Sequence, residues 1–171
     1  AMSDVDTRRL TRHIRDRGAM PVALGSGVSE AELLDAARSA PEMSGQDLAG
    51  RVSTDHEYRV EAAGDHRGTV VAIDLGMKRD ILRNITARGY DVVVVPYEAT
   101  ADRIRELSPD GVFVSNGPGD PEPLVATAET MRSLIGSVPV FGICLGHQVL
   151  GRRPVELDRC RAATAEWPGH K

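Results

Sequence analysis

Apolar residues in the second half of the chain fall into short β-branched runs, separated by stretches in which they recur at helical spacing. The runs 69–74 (TVVAID), 91–96 (DVVVVP), 111–115 (GVFVS) and 138–143 (VPVFGI) read as buried strands. Between them, residues 78–88 carry Ile81, Leu82 and Ile85 on one face and meet a stop at Gly89. Residues 100–107 and 124–135 read as two further helices, and 145–150 as the start of another. Four strands alternating with helices predict βαβ crossovers and an α/β fold whose parallel sheet is covered on both faces. Ligands in such sheets sit at the carboxyl ends of the strands.

The first half is patterned differently. Residues 4–18 (DVDTRRLTRHIRDRG) form a short basic helix, with Asp6 or Thr7 as N-cap, Leu10 and Ile14 on one face and Gly18 as stop. Its five arginines read as a solvated face or as a phosphate site. Residues 19–23 look like a strand, and Ser29 caps a helix that runs to Arg38 and ends before Pro41. Residues 44–48 suggest one more turn, and 52–60 an edge strand. Residues 61–68 hold two glycines and four charged or imidazole side chains, the composition of a linker, which places a domain boundary near Gly68.

Composition narrows the function classes. With 171 residues the chain can bury a core, and its formal net charge of -4 comes from interspersed charges without a basic block. Nucleic acid is therefore a poor candidate partner. No membrane-length apolar run and no apolar leader occur, so no membrane partner is expected. Two cysteines, Cys144 and Cys160, fit a reducing, cytoplasmic setting. Cys144 and His147 lack a second pair at ligand spacing, so no metal site is expected. No G-x-G-x-x-G or G-x-x-x-x-G-K-[ST] follows the first strand of the sheet, which disfavours a nucleotide-binding module.

Candidate chemistry centres on the junction of the last strand and helix. Cys144 lies there with Gly142 and Gly146 two residues to either side. Read alone, it is a small apolar residue closing a buried strand, or a thiol presented at a sharp turn of the nucleophile-elbow kind. At an elbow the helix N-terminus favours the thiolate, which is the nucleophile. The loop 115–121 (SNGPGDP), directly after the third strand, is an ordinary turn or a rigid loop whose exposed N–H groups hold an anion or oxyanion. Adjacent strand ends can bring the two together. A thiolate beside fixed N–H donors is the minimum equipment for acyl transfer through a tetrahedral intermediate on an amide or ester.

The motifs GICLGHQ (142–148) and SNGPGDP resemble those of the class I glutamine amidotransferases. The closer resemblance is to the small, glutamine-hydrolysing subunit of carbamoyl-phosphate synthase. It extends to DTRRLTRHIRDRGAM (6–20), similar to that subunit's N-terminal domain, and VAIDLGMKRDILRN (71–84), similar to the start of its amidotransferase domain. The resemblance implies a flavodoxin-like parallel sheet flanked by helices over 69–151, preceded by part of a small α+β domain over 1–66. It makes Cys144 the nucleophile that converts glutamine to a glutamyl thioester and ammonia. Leu145 corresponds to the residue whose N–H helps form the oxyanion hole, Gly117 and Gly119 to glycines of the loop contacting glutamine, and Gln148 to a substrate-binding residue. The implied partner is the large synthetase subunit. That subunit uses ATP and bicarbonate to make carbamoyl phosphate for pyrimidine and arginine synthesis, and the small subunit itself needs no cofactor.

The chain also departs from the family. There the catalytic base is a histidine, with a glutamate two residues later, far downstream of the nucleophile and beyond residue 171. His147 is too near Cys144 to take that part and reads as packing or bonding within the fold. Glu166 and His170 stand in the wrong order and spacing. Similarity stops after Gly151, and 152–171 form a divergent, arginine-rich tail for which a frameshift is one explanation; a single uninterrupted native reading frame at the locus would refute it. The family's longer N-terminal portion includes a serine that helps bind glutamine. The chain is thus expected to be truncated at both ends. The alternative to a working subunit is a catalytically impaired fragment, or a binding-only module that docks on the large subunit.

Overall fold

The computed structural model of the chain describes residues 5–18 and 20–151. The tail expected over 152–171, with Cys160, Glu166 and His170, lies outside the described residues. The chain forms two compact units that divide between Met43 and Ser44. Among the described residues no helix is long and apolar enough to cross a membrane.

The first unit holds two capped helices. α1 (Thr7–Arg17) begins where the Asp6 carboxylate accepts from the Arg9 N–H at 2.9 Å, and it ends where Gly18, at φ 86°, donates to the Ile14 carbonyl. α2 (Glu30–Ser39) opens with a reciprocal capping box between Ser29 and Glu32. Both caps follow the sequence reading. No strand forms over residues 20–23, where β propensity has no partner strand to satisfy it.

The second unit carries a five-stranded sheet in the order β1-β3-β2-β4-β5. β2 (Gly68–Asp74), β3 (Tyr90–Pro96), β4 (Gly111–Val114) and β5 (Val140–Gly142) run parallel, and β1 (Tyr58–Val60) pairs antiparallel with β3 at the edge. Alternation along the strands divides the core between two faces. Val70, Ala72, Val92, Val94 and Phe113 meet Ile81, Leu82 and Ile85 of α3 (Arg79–Thr86). On the other face, Val71, Ile73, Val93, Val95, Val112 and Val114 pack with residues of α4 (Ala101–Glu106), α5 (Val125–Leu134) and α6 (Leu145–Gly151). This is the α/β sheet covered on both faces that the apolar runs predict.

Two differences from the sequence reading have physical causes. The compact units divide at residue 43, whereas composition marks a linker over 61–68. Residues 44–54 are held by the carboxyl-end loops of the sheet, and β1 extends the sheet itself, so both pack with the second compact unit. The last strand is shorter than 138–143, because Pro139 has no N–H to give to a ladder and only its carbonyl is used, by Val112 at 2.8 Å.

The connectivity positions the site. From β2 the chain moves outward to β3, then returns across β2 to β4. The carboxyl ends of β2 and β4 therefore form a topological switch point, with the end of β5 next to β4.

Candidate active site

The strand-to-helix turn at Cys144 is built by close packing of backbone. The Ile143 N–H donates to the Val114 carbonyl at 3.1 Å, which carries the β4–β5 pairing one residue past Gly142. Cys144 then adopts φ 54°, a left-handed conformation that side chains avoid by about 1 kcal/mol or more. α6 starts at the next residue. A Cβ on Gly142 would lie 2.7 Å from the Gly146 carbonyl carbon, and a Cβ on Gly146 would collide with the carbonyl oxygens of Val114 and Ser115. Only glycine fits on either side of the cysteine. The Cys144 side chain is exposed, so the structure presents it and does not pack it into the core.

The loop after β4 is fixed from three sides. Ser115, fully buried, donates its N–H to the Ile73 carbonyl at 3.1 Å and accepts the Gly146 N–H at its own carbonyl at 3.1 Å. Its Oγ accepts from the Leu75 N–H at 2.9 Å and donates to the Asn116 carbonyl at 2.7 Å. The Asn116 carboxamide donates from Nδ2 to the Gly76 carbonyl and accepts the Lys78 N–H at Oδ1, both at 3.1 Å. Gly117 approaches so closely that a Cβ would strike the Leu75 carbonyl oxygen and lie 2.9 Å from Leu145 Cδ2. Gly119, at φ 87°, turns the loop past Leu48.

Behind the loops lies a brace that the sequence did not reveal. Asp74, buried at the end of β2, accepts the N–H groups of Gly76, Met77 and Thr54 at 2.7 to 2.9 Å. Ser53 Oγ accepts the Tyr97 N–H at 3.1 Å, and the Tyr97 hydroxyl donates to Asp47 at 3.0 Å. That hydrogen bond, with burial second, pushes the Tyr97 phenol up to about 12. Asp120 holds Ser44 Oγ and the Gly45 N–H from the far side of the loop.

The residues singled out by the sequence thus lie at adjacent strand ends. Gly117 touches Leu145, which is buried and follows Cys144 at the start of α6. Gln148 is exposed on the first turn of α6, and its N–H donates to the Cys144 carbonyl at 3.0 Å. Gly119 faces Leu48 instead. His147 is exposed and not packed, a correction to the sequence reading; on this short helix the core-facing positions are those of Leu145 and Val149. Ser115, Asn116 and Asp74 were not singled out. Small polar residues ending a buried strand before a glycine loop were the available signal. Among the described residues no group of three or more His, Cys, Asp or Glu side chains could hold a metal ion.

A left-handed cysteine between obligatory glycines, at the switch point of a parallel sheet and beside a braced glycine loop, defines an α/β protein with an elbow-type thiol site. The family model for glutamine amidotransferase class-I matches residues 71–154, which include the elbow and the loop after β4. Residues 71–154 thus carry the sequence of a class-I glutamine amidotransferase domain. The chain is similar to carbamoyl phosphate synthase small chains. That of Methanopyrus kandleri is 48% identical over 155 residues, covering 88% of this chain and 42% of the relative. Those of Syntrophotalea carbinolica and Corynebacterium efficiens are 45% and 44% identical, covering 85% and 86% of this chain and 42% and 38% of their own lengths. The chain thus spans about two fifths of the length of these curated relatives.

Proposed function

We propose that the chain is a glutamine amidotransferase portion of the carbamoyl-phosphate synthase small-subunit type. The observation that carries this reading is the exposed Cys144 at φ 54° between two glycines that admit no Cβ. Its Sγ bonds to the side-chain amide carbon of glutamine while the carbonyl π pair moves onto oxygen. Collapse of that intermediate breaks the C–N bond, and the thiol proton leaves with the nitrogen as ammonia, so a glutamyl thioester remains. The Leu145 N–H, at the helix start where no intrahelical carbonyl is available to it, donates to the oxyanion together with the loop at Gly117 and Gly119. Gln148 contacts the glutamine.

In this reading residues 1–66 correspond to part of the small subunit's N-terminal domain and 69–151 to part of its amidotransferase domain. Ammonia passes to the large synthetase subunit, the partner, which uses ATP and bicarbonate. The setting is cytoplasmic, in pyrimidine and arginine synthesis. Thioester formation precedes its hydrolysis, a step in which general base assistance is worth roughly a hundred to ten thousand fold. Acylation of Cys144 is therefore the direct readout.

The test incubates the purified chain with glutamine, with and without the large subunit, and follows ammonia release together with mass spectrometry of Cys144. A glutamyl adduct on Cys144, absent in Cys144→Ala, is the expected result. Neither adduct nor turnover would refute the amidotransferase reading and leave a binding-only relative that docks on the large subunit.

A further inference from the structure

Ser115 is a junction between the two halves of the site. Its hydroxyl stands in a fully buried position with both directions committed, accepting from the Leu75 N–H at 2.9 Å and donating to the Asn116 carbonyl at 2.7 Å. The incoming N–H leaves the hydroxyl proton for the Asn116 oxygen. That oxygen belongs to the same planar trans peptide as the Gly117 N–H, and in a trans peptide the C=O and N–H point in opposite directions. Holding one end of the plane aims the other.

The hold matters because of the next residue. Gly117 must lack a Cβ to pass the Leu75 carbonyl and the Leu145 side chain. The same lack makes rotation of the Asn116–Gly117 peptide sterically easy, since glycine accepts either sign of φ. A loop that needs glycine for close approach would present its N–H in several directions. Asn116 anchors its own side chain to Gly76 and Lys78, which fixes the residue but not the peptide that follows. The Ser115 hydroxyl supplies that remaining constraint. The Ser115 carbonyl, meanwhile, receives the Gly146 N–H at 3.1 Å and so ties the same residue to the turn that carries Cys144 and Leu145.

We propose that Ser115 is a positioning residue for acylation: its hydroxyl locks the Asn116–Gly117 peptide so that the Gly117 N–H is preorganised as an oxyanion donor beside Cys144. This rests on the amidotransferase reading and deepens it. Donors fixed in advance need no reorganisation when charge develops on oxygen, and losing one such donor lowers rates by about a hundred to a thousand fold. A donor left in place but free to turn gives a smaller loss, of about ten to a hundred fold.

The test compares two reactions of Cys144 in the full chain. Acylation by glutamine passes through an oxyanion, whereas alkylation by iodoacetamide is a displacement at a CH2 carbon and needs no oxyanion donor. Trypsin cleavage at Arg132 separates the peptides holding residues 115 and 144. In Ser115→Ala, acylation falls about tenfold or more while alkylation stays within about twofold, and Ser115→Thr, which keeps the hydroxyl, restores acylation to near the parent rate. If Ser115→Ala is unfolded by circular dichroism, the near-isosteric Ser115→Cys, a weak donor, replaces it with the same expected split. Equal acylation in variant and parent would overturn the proposal, as would a parallel fall in both reactions, which marks a structural role only. Absence of an adduct in the parent would instead refute the amidotransferase reading, and this one with it.

Discussion

Cys144 combines two properties that stability alone would not select together, an unfavourable left-handed backbone and a side chain with little burial to offset it. Its replacement by glycine relieves the strain without emptying any of the core. Cys144→Gly is therefore expected to raise unfolding stability by about 1 kcal/mol, seen as a higher urea midpoint at unchanged slope. The same variant forms no glutamyl adduct. A lower midpoint would show that the cysteine side chain packs in a way its exposure does not reveal. The pair of glycines at the second positions was readable in the sequence because no other residue serves a turn this tight. Ser115 was not, because serine after a strand is common and only the partners of its hydroxyl distinguish it.

At the scale of elements, the strands and helices of the sheet follow their apolar runs closely, since burial on two faces imposes both the β-branched composition and the period. α3 and α5 each occupy the interior of the stretch predicted for them. Residues 44–54 escaped that logic. They have no period, and their attachments run to backbone groups and single side chains: Asp47 to Tyr97, Ser53 to the Tyr97 N–H, Thr54 to Asp74. Such contacts leave no trace in a hydropathy pattern. Their strength can be read from Tyr97, whose phenol is pushed up to about 12, chiefly by the hydrogen bond to Asp47. The folded phenol ionises above its unfolded value of about 10, so the contact contributes fully below pH 10 and is lost as pH rises towards 12. Asp47→Asn is expected to bring the Tyr97 titration, followed by ultraviolet absorbance, back towards 10. An unchanged titration would mean that burial and the neighbouring Glu98 carboxylate hold the phenol neutral.

For the whole molecule, the two edges of the sheet are finished differently. β1 closes one edge with an antiparallel strand anchored through Asp91, whose carboxylate pairs with Arg59 and accepts the Ala62 N–H at 2.8 Å. At the other edge, among the described residues, β5 pairs with β4 alone. There Phe141 stays 62% exposed although it stacks on Phe113 with ring centroids 6.3 Å apart, and Ile143 beside it is also exposed. An unpaired strand edge flanked by an exposed aromatic ring templates association with other chains. The chain is expected to self-associate with rising concentration, detected as increasing light scattering. Phe141→Glu should suppress this by placing like charges on any two edges that meet, while the lost ring stacking lowers stability by about 1 kcal/mol. The two effects separate cleanly, because association depends on concentration and the stacking loss does not. Scattering that persists unchanged in Phe141→Glu would shift the source of association away from the β5 edge, and the exposed stripe of Leu10 and Ile14 on α1 would then be the next surface to charge.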